Sequence, residues 1–146
     1  MNGAIVRAYS LAKDGESRPY LSNGQRCKNF KVKEFACEDG TDPVFISPTT
    51  LDILQAVRTH FNAEVIIRGH SGYRTPQHNA KKSVGGAQFS QHMYGRAVDF
   101  HVAGVDCHEV AAYIETLMPY TGGLIIYPKD NRLHVDDRFV KYRAVA

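Results

Sequence analysis

From Ala97 to Val102 the side chains alternate in character. Ala97, Asp99 and His101 point one way, and Val98, Phe100 and Val102 point the other. A period of two marks a half-buried strand. Residues 96–102 are therefore predicted as a strand whose apolar face anchors in a core while Asp99 and His101 face a cleft. A different spacing follows Ser47-Pro48, which offers an N-cap and a proline at the first helical position. Ile53, Leu54, Val57 and Phe61 then recur at helical intervals and predict a helix of about three to four turns. Asp106 and Glu109 form a capping-box pattern. Val110, Tyr113, Ile114 and Leu117 continue it as a second apolar stripe, which Pro119 ends.

The remaining pattern is shorter-ranged. Residues 4–9 predict a first strand, closed by the turn-like Lys13-Asp14-Gly15, and residues 15–29 read as a polar loop. Phe30, Val32 and Phe35 return to the core, followed by turns at Glu38-Asp39-Gly40 and Asp42-Pro43. Glu64 to Arg68 is β-branched and predicts a strand ending at Gly69. Thr75-Pro76 caps a short helix over Gln77 to Lys82, and Gly85-Gly86 marks a flexible loop. Leu124 to Tyr127 and Leu133 to Asp136 flank turn chemistry at 128–131 and predict a hairpin. Mixed strands and helices with a late hairpin indicate an α+β domain over residues 1–146, not a doubly wound sheet.

Composition narrows the function. Apolar residues are 43% of the 146 and charged ones 23%, ordinary for a soluble globular domain. The net charge of +3 has no basic cluster beyond Lys81-Lys82, so nucleic acid is not expected as a partner. No segment approaches membrane-spanning length, so no membrane insertion is expected. The first residues, Met1 to Arg7, lead into no apolar run of signal-peptide length, and cytoplasmic synthesis without a signal peptide is expected. Cys27, Cys37 and Cys107 include no C-x-x-C pair, which argues against a cysteine-rich zinc module. They read as packed thiols, with a Cys27–Cys37 bridge left open.

The chemistry gathers at three positions. His92 arrives from a loop, Asp99 lies on the predicted strand, and His134 sits in Arg132-Leu133-His134-Val135-Asp136 on a neighbouring one. Two imidazoles and a carboxylate suit zinc and leave a position for water. The H-E-x-x-H helix signature is absent. Ser71 and Ser90 lie in no nucleophile elbow and read as loop-fixing hydroxyls. His60, His70, His78 and His108 lack partners at readable spacing.

Ser90, His92, Gly95, Ala97 and Asp99 form Ser-x-His-x-x-Gly-x-Ala-x-Asp, which resembles the central motif of the D-alanyl-D-alanine carboxypeptidase-type zinc peptidases. Ser71-Gly72-Tyr73-Arg74 matches the second signature of that family. His134-x-Asp136 and the stretch from Asn29 to Phe35 look like its small phage and bacterial branch. The resemblance spans about residues 28–137 and implies an α+β fold with a small antiparallel sheet and flanking helices. Lysostaphin-type enzymes and the hedgehog signalling domain share that core. It further implies Zn2+ on His92, Asp99 and His134, and Arg74 as the group that holds a substrate carbonyl or carboxylate and stabilises the oxyanion. The implied activity is hydrolysis of peptidoglycan stem peptides or crosslinks. A monomer is expected, and the lack of a signal-peptide run suits action after release from the cell or as part of a virion.

One position departs from the family pattern. Its best-known members carry Glu or Asp three residues before the last histidine as general base, and Asn131 stands there. Asp136, on the same strand face as His134, is the preferred substitute over Asp130. Asp136 could instead orient a ligand histidine, and His101 could exchange protons beside Asp99. The departure leaves a second reading open, a zinc-containing binding or structural module without catalysis. Carboxypeptidase and endopeptidase action are not separated by the sequence.

Overall fold

The computed structural model describes residues 5–67, 72–81, 86 and 90–146. Strands β1 (Arg7–Tyr9) and β2 (Val44–Ile46) pair antiparallel in a small sheet. The main sheet has the order β3 (Val65–Ile67), β4 (Ala97–Val102), β6 (Arg132–Asp136), β5 (Gly123–Tyr127), β7 (Tyr142–Val145). Its pairs are antiparallel except β5 with β7, which run parallel. The helices are α1 (Leu11–Asp14), α2 (Pro48–Phe61), α3 (Pro76–Asn79) and α4 (Cys107–Leu117).

Helix α2 starts where Ser47-Pro48 predicts. The Ser47 hydroxyl accepts the Thr50 N–H and donates to Asp137 Oδ2 at 2.6 Å. Buried Asp137, just past β6, thus sits at the positive end of the α2 dipole and fixes the helix start against the sheet. Asp106 likewise caps α4 by accepting the His108 N–H at 2.7 Å. Leu51, Leu54 and Val57 from α2 join Val110 and Ile114 from α4 in one core with Val98, Phe100, Leu133 and Val135. The α4 stripe is narrower than its spacing predicts: Tyr113 is half-buried and Leu117 is 39% exposed.

The strand over 96–102 and the late hairpin form as expected. Phe30, Val32 and Phe35 are buried, the last two in a 3-10 turn over Val32–Phe35. Lys13-Asp14 belongs to α1 and is not a bare turn. Helix α3 is shorter than predicted, and Arg68, Gly69, Lys82 and Gly85 lie outside the described residues. Two strands, β2 and β7, had no alternating signal. In β7 the reason is physical: Tyr142 and Val145 are exposed, and the strand is held by backbone pairing and by Arg143. That arginine grips Glu115 and the carbonyls of Met118 and Gly122. Its parallel addition makes the main sheet mixed at one edge, where only antiparallel pairing was expected. The three cysteines are free and buried, so the possible Cys27–Cys37 bridge is not formed.

Asn131 closes the turn between β5 and β6 with φ 49°, in the left-handed region that asparagine tolerates. Its Oδ1 accepts the Cys107 N–H at 2.7 Å, and its Nδ2 donates to the Val105 carbonyl at 3.0 Å. Both ends of the amide therefore tie the hairpin turn to the start of α4. We predict that Asn131→Asp, which sets a carboxylate oxygen against that carbonyl, destabilises the fold by about 1–3 kcal/mol. Urea denaturation monitored by circular dichroism reads this directly.

Candidate metal centre

The register of β4 on β6 sets Asp99 opposite His134 and Ala97 opposite Asp136. Asp99 Oδ1 lies 2.9 Å from His134 Nδ1 and 3.3 Å from His92 Nε2. His92 comes from the 3-10 turn Gln91–Tyr94, where Ser90 Oγ accepts its backbone N–H at 3.2 Å. The turn closes on Gly95 at φ 68°, and a Cβ there would stand 2.6 Å from the Phe45 carbonyl oxygen. Only glycine fits both the backbone angle and that approach. The sequence-predicted set is thus brought together: His92, Asp99 and His134 are all buried, with one ligand atom from each within 4.8 Å of the others.

The back edges of the two rings decide where their protons sit. His92 Nδ1 faces the Gly72 carbonyl at 2.8 Å, an acceptor only, so Nδ1 carries the hydrogen and Nε2 turns its lone pair to Asp99. His134 Nε2 faces Asp136 Oδ2 at 2.7 Å, so Nε2 carries the hydrogen and Nδ1 turns to Asp99. Two lone pairs and a carboxylate aimed at one another need a cation between them. Without one, a proton must serve. Burial works against a charged His134, yet Asp136 and Asp99 together lift it to about 9. Burial likewise opposes ionisation of Asp99, but the neighbouring His134 and His92 side chains outweigh it and hold the carboxyl well below its usual range. Burial keeps His92 below the ordinary histidine value. This donor set fits zinc: borderline nitrogens, one carboxylate, and second hydrogen bonds that fix both tautomers.

Asp136 lies on the far edge of His134 from Asp99 and is 0% exposed. Besides His134 it accepts from Gly123 N–H at 3.0 Å, from Arg138 N–H at 3.1 Å, and from Arg138 Nε and Nη2 at 2.8 and 2.7 Å. Opposite it in register is Gly123, where a Cβ would fall 2.2 Å from Asp136 Oδ2. Burial would raise this carboxyl, but His134 and Arg138 hold it far below its usual range. The general-base position expected for Asp136 therefore has neither solvent access nor a spare lone pair directed at the ligand set.

Two guanidinium groups approach Asp99 from the other side. Arg74 is buried, with Nη2 3.8 Å from Asp99 Oδ2, Nη1 donating to Asn79 Oδ1 at 2.9 Å, and its backbone N–H on the His92 carbonyl. Arg132 Nη1 donates to Asp99 Oδ2 at 3.3 Å while its guanidinium lies 4.2 Å over the Tyr127 ring. Arg132, Asn79 and Arg138 were not singled out from sequence. For Arg132 the signal existed: it precedes His134 by two and shares its strand face. Among the other histidines, His60 stacks on Tyr113, His108 meets Asp106, and half-buried His101 stands in register with Ile66 on β3. His78, which had no readable partner, lies beside Cys37 and Asp39. Ser71 and His70 lie outside the described residues.

A family model described as Peptidase M15 matches residues 27–136. The chain is 40% identical over 78 residues to a protein named probable peptidoglycan L,D-endopeptidase MepK from Haemophilus influenzae. That alignment takes in 51% of this chain and 40% of the relative, so the chain spans less than half the length of the curated relative it matches. No solved structure matches the chain. The family match runs through every element that supplies a group to the centre, from the 72–79 segment to Asp136, and the chain belongs to the Peptidase M15 family.

Proposed function

We propose that this chain is a zinc-dependent peptidase that hydrolyses peptide bonds of bacterial peptidoglycan. The observation that carries the reading is the buried convergence of His92, Asp99 and His134 with both ring tautomers fixed from behind. Membership of a peptidase family supports the reaction class. The similarity to a protein named as a peptidoglycan L,D-endopeptidase supports the substrate, and endopeptidase over carboxypeptidase action. The setting we propose is the cell wall, reached after release from the cytoplasm or from a virion.

Zinc bound by these three residues would supply Lewis acidity toward a peptide carbonyl and acidify a water. The chain's own residues do the rest. Arg74 keeps its charge although burial lowers its pKa. Its guanidinium, held by Asn79, binds the substrate carbonyl or carboxylate and faces the negative charge that develops on attack. Arg132, clamped over Tyr127, adds a second cation on the same side of Asp99. Asp136 orients His134 and keeps its Nε2 proton in place, the second of the two parts the sequence left open for it. We assign the proton acceptor to a carboxylate that solvent reaches. Asp130 is such a group: its side chain is 67% exposed, and its Oδ2 lies 3.8 Å from Arg132 Nη2.

Purified peptidoglycan should release peptides when incubated with the protein, stop under a chelator and resume with added zinc; mass spectrometry of the products identifies the bond. Stoichiometric zinc with no released peptide would point instead to a non-catalytic binding module and defeat the proposal. The two carboxylates should separate by measurement. Asp136→Asn is expected to weaken zinc binding by about 10–100-fold. Asp130→Asn is expected to leave zinc content intact and lower kcat by roughly 100-fold or more. Replacing Arg74 by Lys, which keeps charge but loses the fork, should lower kcat/KM by roughly 100-fold with zinc retained.

A further inference from the structure

A second cluster of metal-ligating groups lies outside the centre described above. Cys37 Sγ, a carboxylate oxygen of Asp39 and a ring nitrogen of His78 all lie within 4.8 Å of one another. Cys37 is 3% exposed and His78 6%, while Asp39 is open to solvent. Glu38 adds an oxygen 4.0 Å from His78 Nε2. The backbone around them is already tied together. Tyr73 N–H donates to the Phe35 carbonyl at 2.9 Å, and Thr75 Oγ donates to Asp39 Oδ2 at 2.9 Å. Thr41 N–H donates to Asp39 Oδ1 at 2.9 Å, and Gly40 N–H to the Cys37 carbonyl at 3.0 Å.

Sulphur, imidazole nitrogen and carboxylate oxygen together suit a borderline divalent ion such as zinc, not a hard cation such as magnesium or calcium. We propose that Cys37, Asp39 and His78 form a second zinc site, closed by Glu38 or a water and structural in character. A nucleophilic thiol would need open approach to the sulphur, which the burial of Cys37 denies. The ion would clamp the 72–79 segment, which carries Arg74 and Asn79, to the 35–39 segment. The second site would thus position Arg74 without touching substrate.

With cobalt(II) the thiolate absorption reports on this site and not on the first, because His92, Asp99 and His134 include no sulphur. The metal-free protein titrated with cobalt should bind two equivalents and develop a near-ultraviolet thiolate-to-cobalt absorption. Cys37→Ser and His78→Ala should each lose that band and one equivalent. His92→Ala should lose the other equivalent and keep the band. Cys107→Ser should keep both, although Cys107 also lies near an aspartate and a histidine. Circular dichroism checks that each variant is folded. A folded unmodified protein that binds one equivalent with no sulphur band overturns the proposal, whatever the variants do. So does a band that follows Cys27 or Cys107. Because the readout is metal content and absorption, a negative result leaves the peptidase reading standing, and an inactive protein leaves this site standing.

Discussion

The pairing of Asp99 with His134 across β4 and β6 is the contact on which the centre depends. It places a carboxylate and an imidazole side by side in a region closed to solvent. Removing one such charge from water costs on the order of several kcal/mol even after relaxation. The cost is bearable only when each remaining polar atom has a partner, and here the partners form a chain. Gly123 and Arg138 hold Asp136, Asp136 holds His134, and His134 and His92 hold Asp99. The opposite face of the same two strands supplies the driving force. Val98, Phe100, Leu133 and Val135 are buried in the core. A slip of one residue would turn those side chains toward the centre and Asp99 and His134 into the core, so apolar burial fixes the register that sets the two opposite each other.

The third ligand and the arginine come from loops, where backbone geometry replaces sheet register. His92 is set by the Ser90 cap and the left-handed Gly95, which packs on Phe45. Arg74 follows His92 because its own N–H donates to the His92 carbonyl, and the Gly72 carbonyl holds the His92 ring. The 72–79 segment and the 90–95 turn therefore form one hydrogen-bonded unit. A shift in either would move His92 and Arg74 together.

Asn131 shows how a position can change employment. The family pattern led to the expectation of an acid three residues before the last histidine. Here the residue adopts a left-handed backbone and spends its amide on Val105 and Cys107. An amide can donate and accept at once, which this bridge requires and a carboxylate cannot provide. This position therefore carries no acid, and the neighbouring Asp130, exposed in the turn, places a carboxylate oxygen 3.8 Å from Arg132.

What the sequence determined by itself is local in origin. The two-residue alternation of β4, the caps at Ser47 and Asp106, and the hairpin turn all arise from neighbours within a few residues, so their spacing carries the signal. The candidate ligands His92, Asp99 and His134 were legible for the same reason: each sits in a short motif whose pattern also fixes its element. The tertiary structure decided what depends on which distant groups meet. It moved Asp136 behind His134, brought Arg132 to Asp99, added β7 in parallel through Arg143, and set His78 beside Cys37. The period of two put Arg132 and Asp136 on the His134 face, but the partners they meet there, like the placement of β7 and His78, are settled by packing between segments far apart along the chain.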